Sequence, residues 1–258
     1  MSDDASVSSY ESLEDKYILT YDNYQHEEML FRLSSLRGFQ ICPYDPSPSE
    51  TEWRDLGQAI GRSTKIECLR VSMDGLEEND VIASADNLEA FIGSISNNRS
   101  LKELMLEIYD FRVARLGLLH PFVIENDNLV KLSLVSCNFS LHDLHMLAAA
   151  FSQRRNPTSI KALDISGDYI SDESVPVIID ICGHCPSLQQ LDLGYSGLGN
   201  RGLIILATLL ANPECKLKNL SLAGMNGIDD EVARVLANSL VNNNDLKMLD
   251  LELAETTQ

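Results

Sequence analysis

Apolar residues recur along this 258-residue chain in a frame of Leu-x-x-Leu-x-Leu, and the frame keeps step. It runs as Leu36-x-x-Phe39-x-Ile41, Ile66-x-x-Leu69-x-Val71, Leu101-x-x-Leu104-x-Leu106 and Leu129-x-x-Leu132-x-Leu134. It continues as Ile160-x-x-Leu163-x-Ile165, Leu188-x-x-Leu191-x-Leu193, Leu217-x-x-Leu220-x-Leu222 and Leu246-x-x-Leu249-x-Leu251. Start-to-start spacings are 30, 35, 28, 31, 28, 29 and 29 residues. One such hexamer arises by chance; eight in step do not. Periods of this size mark stacked repeats, each burying its core face only against its neighbours.

The two halves of a repeat differ in period. The Leu-x-Leu part alternates, which predicts a short strand. The segment after it has helical spacing: Ile228–Leu240 puts Val232, Val235, Leu236 and Leu240 on one face, and Gly202–Leu210, Val175–Ile181 and Leu144–Phe151 follow suit. Ser49-x-x-Glu52 and Ser140-x-x-Asp143 have the form of capping boxes. Strands on one side and wider helices on the other force curvature, because strands lie only ~4.8 Å apart. The expectation is an α/β leucine-rich-repeat solenoid, a horseshoe of about seven to eight repeats. Parallel strands line its concave face and helices its convex face. Eight strands predict a strip roughly 34 Å long.

The ends read differently. Residues 1–22 hold Ser2, Ser6, Ser8, Ser9 and Ser12 among acids, a composition expected of a disordered tail. Over residues 1–28 eight acids face Lys16 alone, which is −7 of the net −19. Met29, Leu30 and Leu33 stand at helical spacing, so 23–35 predicts a helix covering the first repeat. The repeat domain is 36–258. Its last frame is followed closely by Glu255-Thr256-Thr257-Gln258 with no further helix, so an uncovered strand is expected there.

Charge and cysteine content narrow the function classes. A net charge of −19 repels phosphate backbones and anionic bilayers, which argues against nucleic-acid or membrane partners and favours a basic protein. The start lacks a basic and an apolar leader region, and no apolar run nears the roughly 20 residues that span a bilayer. Six cysteines, at 42, 68, 137, 182, 185 and 215, then read as reduced, buried thiols of a cytoplasmic or nuclear protein. The Asn-x-Ser sequons at Asn98, Asn138 and Asn219 would matter only in a secreted chain.

The segment Asn212-Pro213-Glu214-Cys215-Lys216-Leu217-Lys218-Asn219-Leu220-Ser221-Leu222 resembles the repeat junction of ribonuclease-inhibitor-like leucine-rich repeats. Cys137 stands at the ninth repeat position, where that superfamily places Asn or Cys. Cys185-Pro186-Ser187-Leu188-Gln189-Gln190-Leu191-Asp192-Leu193 resembles the cysteine-containing subtype of F-box-associated repeats. The resemblance covers about residues 36–253 and implies a horseshoe that binds other proteins. The ninth position departs from the pattern at Tyr44, Asp74, Tyr109, Asp168, Ser196 and Met225, so those turns, above all at Met225, are expected to be less regular.

Chemical motifs are sparse. Cys182-Gly183-His184-Cys185 matches the tetrapeptide of protein disulfide isomerases. A redox motif of that kind opens a helix, however, whereas this one closes an apolar helix. A zinc site there lacks a second ligand pair. His26-Glu27-Glu28 begins a zinc-deaminase-like motif, but Ile181 stands before Cys182 where proline is required. No His-Glu-x-x-His, Walker loop or Gly-x-Ser-x-Gly is present. The chain reads as a non-enzyme without cofactor or metal.

The concave strip is left as the candidate site. Outward positions three, five, seven and eight carry Arg70, Glu103, Glu107, Lys131, Asp164, Asp192, Asp250 and Glu252, two basic against six acidic. Asp164, Asp192 and Asp250 share position five. Position two, on the rim, is largely basic: Arg37, Glu67, Lys102, Val130, Lys161, Gln189, Lys218 and Lys247. Such charges also serve simply to solvate a surface. Met73, Ile108 and Tyr195 at position eight and Met105 at position five supply large anchors, Tyr195 first among them. The expectation is a scaffold binding a protein with a basic patch. The alternatives are a substrate-recognition or sensor subunit of a larger complex and a GTPase-activating protein.

Overall fold

The computed structural model describes residues 18–20, 30, 33, 36–41, 49–72, 85–107, 116–138, 140–156, 158–225 and 228–252. Among the described residues nine strands form one parallel sheet: β1 Ile18–Thr20, β2 Gly38–Ile41, β3 Cys68–Ser72, β4 Glu103–Glu107, β5 Lys131–Val135, β6 Ala162–Asp164, β7 Gln190–Asp192, β8 Asn219–Ser221 and β9 Met248–Asp250. Spatial order follows chain order without exception. Seven α-helices among the described residues return the chain: α1 Glu50–Arg62, α2 Ala85–Ile95, α3 His120–Glu125, α4 Leu141–Ser152, α5 Val175–His184, α6 Asn200–Ala211 and α7 Asp230–Leu240. The fold is an α/β leucine-rich-repeat solenoid.

The leucine frame sets the register. Phe39, Leu69, Leu104, Leu132, Leu163, Leu191, Leu220 and Leu249, all at position four, pair strand to strand in one row. Positions one, four and six of the six frames from Ile66 to Leu222 are at most 3% exposed. Each such side chain removed from water contributes about 1.5–3 kcal/mol. Leu246, Leu249 and Leu251 of the last frame are only half-buried.

Helix starts follow the chemistry of their first residues. Ser49 and Glu52 close a reciprocal capping box on α1, with Ser49 N–H donating to Glu52 Oε2 at 2.7 Å. Ser140 and Asp143 do the same for α4. Asp229 caps α7 by accepting the Val232 N–H at 2.9 Å. Trp53 of α1 meets Phe91 of α2 edge to face at 5.1 Å.

Between helix and strand the sequence hid a polar device. Asn98, Asn126 and Asn243 each stand three residues before a frame. Asn98 is 0% exposed; its amide donates to Ile60 O at 2.6 Å and Ser63 O at 3.0 Å, while Oδ1 accepts the N–H groups of Ser100 and Leu101. Asn126 donates to Leu101 O, and Asn243 donates to Leu210 O. Each ties its own turn to the previous repeat. Burial also removes Asn98 as a glycan acceptor.

Some expectations change. Strand β1 lies inside the segment read as tail, so the sheet starts one strand earlier and the tail boundary at residue 22 is too late. Of the expected capping helix, Leu30 and Leu33 are helical and Leu33 is 2% exposed; the rest of 23–35 lies outside the described residues, as do most of the tail, Cys42, Tyr44, Asp74, Tyr109 and residues 253–258. The turn before Met225 keeps its form. Position eight is left-handed in four successive repeats, with φ of 52° at Ser136, 74° at Gly167, 54° at Tyr195 and 70° at Gly224. Their N–H groups extend the ladder, donating to the carbonyls of Ser166, Gly194, Ala223 and Glu252. Met225 itself is 1% exposed.

Candidate protein-binding face

Position five forms one cross-strand row, Gln40, Arg70, Met105, Ser133, Asp164, Asp192, Ser221, Asp250. Its two halves differ electrostatically. On the N-terminal side Arg70 lies 3.6 Å from Glu107, which also accepts the Ser72 hydroxyl. Glu103 and Lys131 are cross-strand neighbours, and Met105 is half-buried between Arg70 and Ser133. Charge there is largely balanced.

On the C-terminal side it is not. No lysine or arginine among the described residues pairs with Asp164, Asp192 or Asp250. Each of these carboxylates instead closes the end of its own strand, accepting the N–H two residues on: Ser166 at 3.1 Å, Gly194 at 2.8 Å and Glu252 at 3.0 Å. Asp164 also accepts the hydroxyls of Ser133 and Ser166. Burial pushes the Asp192 carboxyl above the usual range; the Gly194 N–H opposes this, and the neighbouring Asp164 and Asp250 add to the rise. The acids seen in the sequence therefore do structural work and still present uncompensated charge. Glu252, at position seven, is exposed beside Asp250.

Tyr195 stands at position eight of the repeat that carries Asp192, three residues further along the chain, and is 66% exposed. Its N–H donates to Ala223 O at 2.6 Å, and its ring lies over Gly224. Sequence reading missed Tyr169, which is 80% exposed between buried Asp168 and Ile170. Its ring rests on Gly197, where an added Cβ would stand 3.0 Å from Cε2. The alternation Asp168-Tyr169-Ile170 just beyond the frame is the signal in the sequence that marks it. Met73 and Ile108 lie outside the described residues.

The rim keeps its basic character. Lys102 pairs with Glu67 at 3.1 Å, while Lys161 and Lys247 are exposed. Position two is about 10 Å along the strand from position five, so the basic rim and the acidic row are separate stripes.

The Cys182–Cys185 motif sits in the last turn of α5 and just beyond it. Burial raises the Cys182 thiol far above its ordinary value, and the thiols of Cys185 and Cys215 add to that. Cys185 is pushed up to about 12 by burial, against a hydrogen bond from Thr158. His184 Nδ1 lies 2.9 Å from Asp180 O, on its own helix. This is the reverse of an activated thiolate. Cys68, Cys137, Cys182, Cys185 and Cys215 are all free. Among the described residues no group of three His, Cys, Asp or Glu stands together to hold a metal, and no helix is long and apolar enough to cross a membrane.

Comparison with known proteins agrees with the architecture. No family model matches the chain. It is 27% identical over 239 residues to mouse NACHT, LRR and PYD domains-containing protein 5, an alignment covering 77% of this chain and 20% of that protein. It is 24% identical over 230 residues to human and rat leucine-rich repeat-containing protein 73, covering 88% of this chain and 67% of theirs. These relatives are leucine-rich-repeat proteins by name. Among solved structures, the Listeria monocytogenes internalin inlF aligns with a TM-score of 0.46 at 13% identity, over 91% of this chain and 60% of that one. The leiomodin-1 actin-binding site 2 aligns with a TM-score of 0.43 at 14% identity, over 66% and 91%. Scores of this size carry no functional weight.

Proposed function

We propose that this chain is a non-enzymatic protein-interaction scaffold whose concave face, in its C-terminal half, binds a protein through a basic patch. One observation carries the reading: Asp164, Asp192 and Asp250 share one row, with Ser221 between the last two, and no lysine or arginine among the described residues pairs with them, while the exposed Tyr195 follows in the Asp192 repeat and the charges described in the N-terminal half balance. Unpaired charge of one sign beside an exposed aromatic steers and anchors a partner of the opposite sign. The ribonuclease-inhibitor-like subtype is part of the proposal. Cys137 supports it, 0% exposed at the ninth position and donating to the carbonyls of Leu106 and Val135. The free cysteines fit a cytoplasmic or nuclear setting.

The mouse relative, named for NACHT and PYD domains beside its repeats, favours a second reading, in which the same face is the sensor module of a larger complex.

Both readings predict binding that weakens as salt rises. Changing Asp164, Asp192 and Asp250 to Lys should abolish binding of the partner, while circular dichroism shows the fold intact. A partner indifferent to both salt and charge reversal would move the site off this face.

A further inference from the structure

Two tyrosine rings and one loop come together beside the acidic row. The loop from Gly194 to Gly199 joins β7 to α6. Tyr195 belongs to it, and the Tyr169 ring lies against Gly197, two residues further along the same loop. Both rings rest on a glycine at their own repeat position in the following repeat, Tyr169 on Gly197 and Tyr195 on Gly224. A side chain at Gly224 would collide with the Tyr195 ring, 2.5 Å away, and one at Gly197 would crowd the Tyr169 ring at 3.0 Å. The rings are therefore seated on bare backbone rather than packed into the core, and their exposures of 80% and 66% are the two largest among described aromatic residues. Tyr195 holds its position at φ 54°, a conformation that costs a non-glycine residue about 1–2 kcal/mol.

The loop is anchored to the acidic row. Gly194 N–H donates to Asp192 Oδ1 at 2.8 Å, so the first residue of the loop is tied to the carboxylate at the centre of the row. Asp164 and Asp192 are register partners on adjacent strands. Exposed aromatic faces on a loop tied to a carboxylate of the acidic row suit one kind of side chain better than others. A guanidinium is planar, delocalised and weakly hydrated and stacks on an aromatic face; an ammonium does so less well.

We propose that Tyr169 and Tyr195, with the Gly194–Gly199 loop, form a shelf that selects an arginine side chain from an extended segment of the protein partner, the neighbouring basic residues of that segment facing Asp164 and Asp192. This rests on the concave-face reading above and makes it specific: the acidic row supplies attraction for any cation, and the shelf distinguishes arginine from lysine.

The test uses the full chain and two fluorescein-labelled peptides of alternating glycine and arginine, or glycine and lysine, followed by fluorescence anisotropy. The arginine peptide should bind more tightly. Tyr169→Ala and Tyr195→Ala should each weaken it about 3- to 10-fold and remove the preference, while Tyr169→Phe and Tyr195→Phe keep it. Asp164→Asn with Asp192→Asn should weaken both peptides alike and leave the preference in place. A second measurement, 19F resonances of 3-fluorotyrosine-labelled protein assigned through the Phe variants, should show residues 169 and 195 shifting with arginine peptide. Equal binding of the two peptides, absence of those shifts, or Ala variants that bind normally would overturn the shelf. If the Asp variants still weaken binding in that case, the concave-face reading stands. If salt and the Asp variants also have no effect, both readings fall. Should an Ala variant misfold, the 19F titration of the wild type decides alone.

Discussion

Tyr195 occupies the space that a side chain on Gly224 would need: an added Cβ there stands 2.5 Å from Cδ1 and 2.8 Å from Cε1 of the ring. The same alternation precedes it, since a Cβ on Gly167 would stand 2.4 Å from Ser136 Oγ. Position eight therefore reads Ser136, Gly167, Tyr195, Gly224, a side chain followed each time by a glycine that clears room for it. Neighbouring repeats stack only ~4.8 Å apart at the sheet, too close for two bulky residues in succession where the backbone is left-handed.

Gly224→Ala tests that relationship. The substitution forces alanine to φ 70° and pushes on the Tyr195 ring. It should destabilise the fold by about 1–3 kcal/mol, read as a lower urea midpoint at unchanged slope, and weaken partner binding in parallel. Gly93→Ala is the matched control. It lies inside α2 with nothing within 4 Å of an added Cβ, so it should stabilise by about 0.5–1 kcal/mol and leave binding unchanged.

Asp192 links stability to pH. Its folded pKa is raised, chiefly by burial, so the folded state favours the protonated acid. The stability this gives is fully present below the unfolded pKa and is lost as pH rises through the folded value. Asp192→Asn keeps an oxygen for the Gly194 N–H and removes the charge. The variant should melt at a higher temperature than wild type at pH 7, the gap narrowing as pH falls and closing below about 4, where the unfolded carboxylate also becomes protonated. It should also bind a basic partner more weakly. Equal melting temperatures at pH 7 would sink the assignment.

The fold was legible because the buried positions repeat and the chain cannot shift register without exposing them: the frames Ile66 to Leu222 all entered the core as expected. Ser49 and Ser140 were legible because a capping box is local. Strand β1 was not, since three residues, Ile18–Thr20, in an acidic stretch carry no periodicity of their own and pair only through β2. The asparagine ties escaped because the position is not kept: Ser63 and Cys185 take it in other repeats, and Ser63 substitutes with its hydroxyl by accepting the Lys65 and Ile66 N–H groups. The acidic row was visible as charge, but its second role, closing each strand end, depends on a backbone direction that spacing alone does not give. Tyr169 was not legible because it stands at position ten, past the strand β6 whose alternation sorts outward from buried side chains.

Asn98 should prove the costliest polar residue to lose. It is 0% exposed, and its side chain joins α1 to the start of the next frame through two donated and two accepted backbone bonds. Asn98→Ala takes the acceptor from the buried turn's Ser100 and Leu101 N–H groups and one donor each from the carbonyls of Ile60 and Ser63, which keep the Ser63 N–H and the Ser100 hydroxyl. The expected loss is about 3–4 kcal/mol, above the range of ordinary substitutions. Asn98→Asp should be at least as severe, because it replaces the donor with a second acceptor against two carbonyl oxygens. Urea unfolding of both variants checks the order.

The CGHC motif gives the sharpest separation between appearance and environment. With the Cys185 thiol pushed up to about 12 and Cys182 raised further by burial and its neighbours, neither carries an appreciable thiolate fraction near neutral pH. Iodoacetamide at pH 8 should therefore leave Cys182, Cys185 and Cys215 unmodified in the folded protein and alkylate all three once urea unfolds it, as read by peptide mass spectrometry. An isomerase-like pair would behave in the opposite way, with one cysteine labelled first and fastest in the native state. Cys182→Ala should likewise leave binding of a basic partner unchanged. Rapid native labelling at Cys182 would mean that the end of α5 opens far more readily than its packing against the core implies.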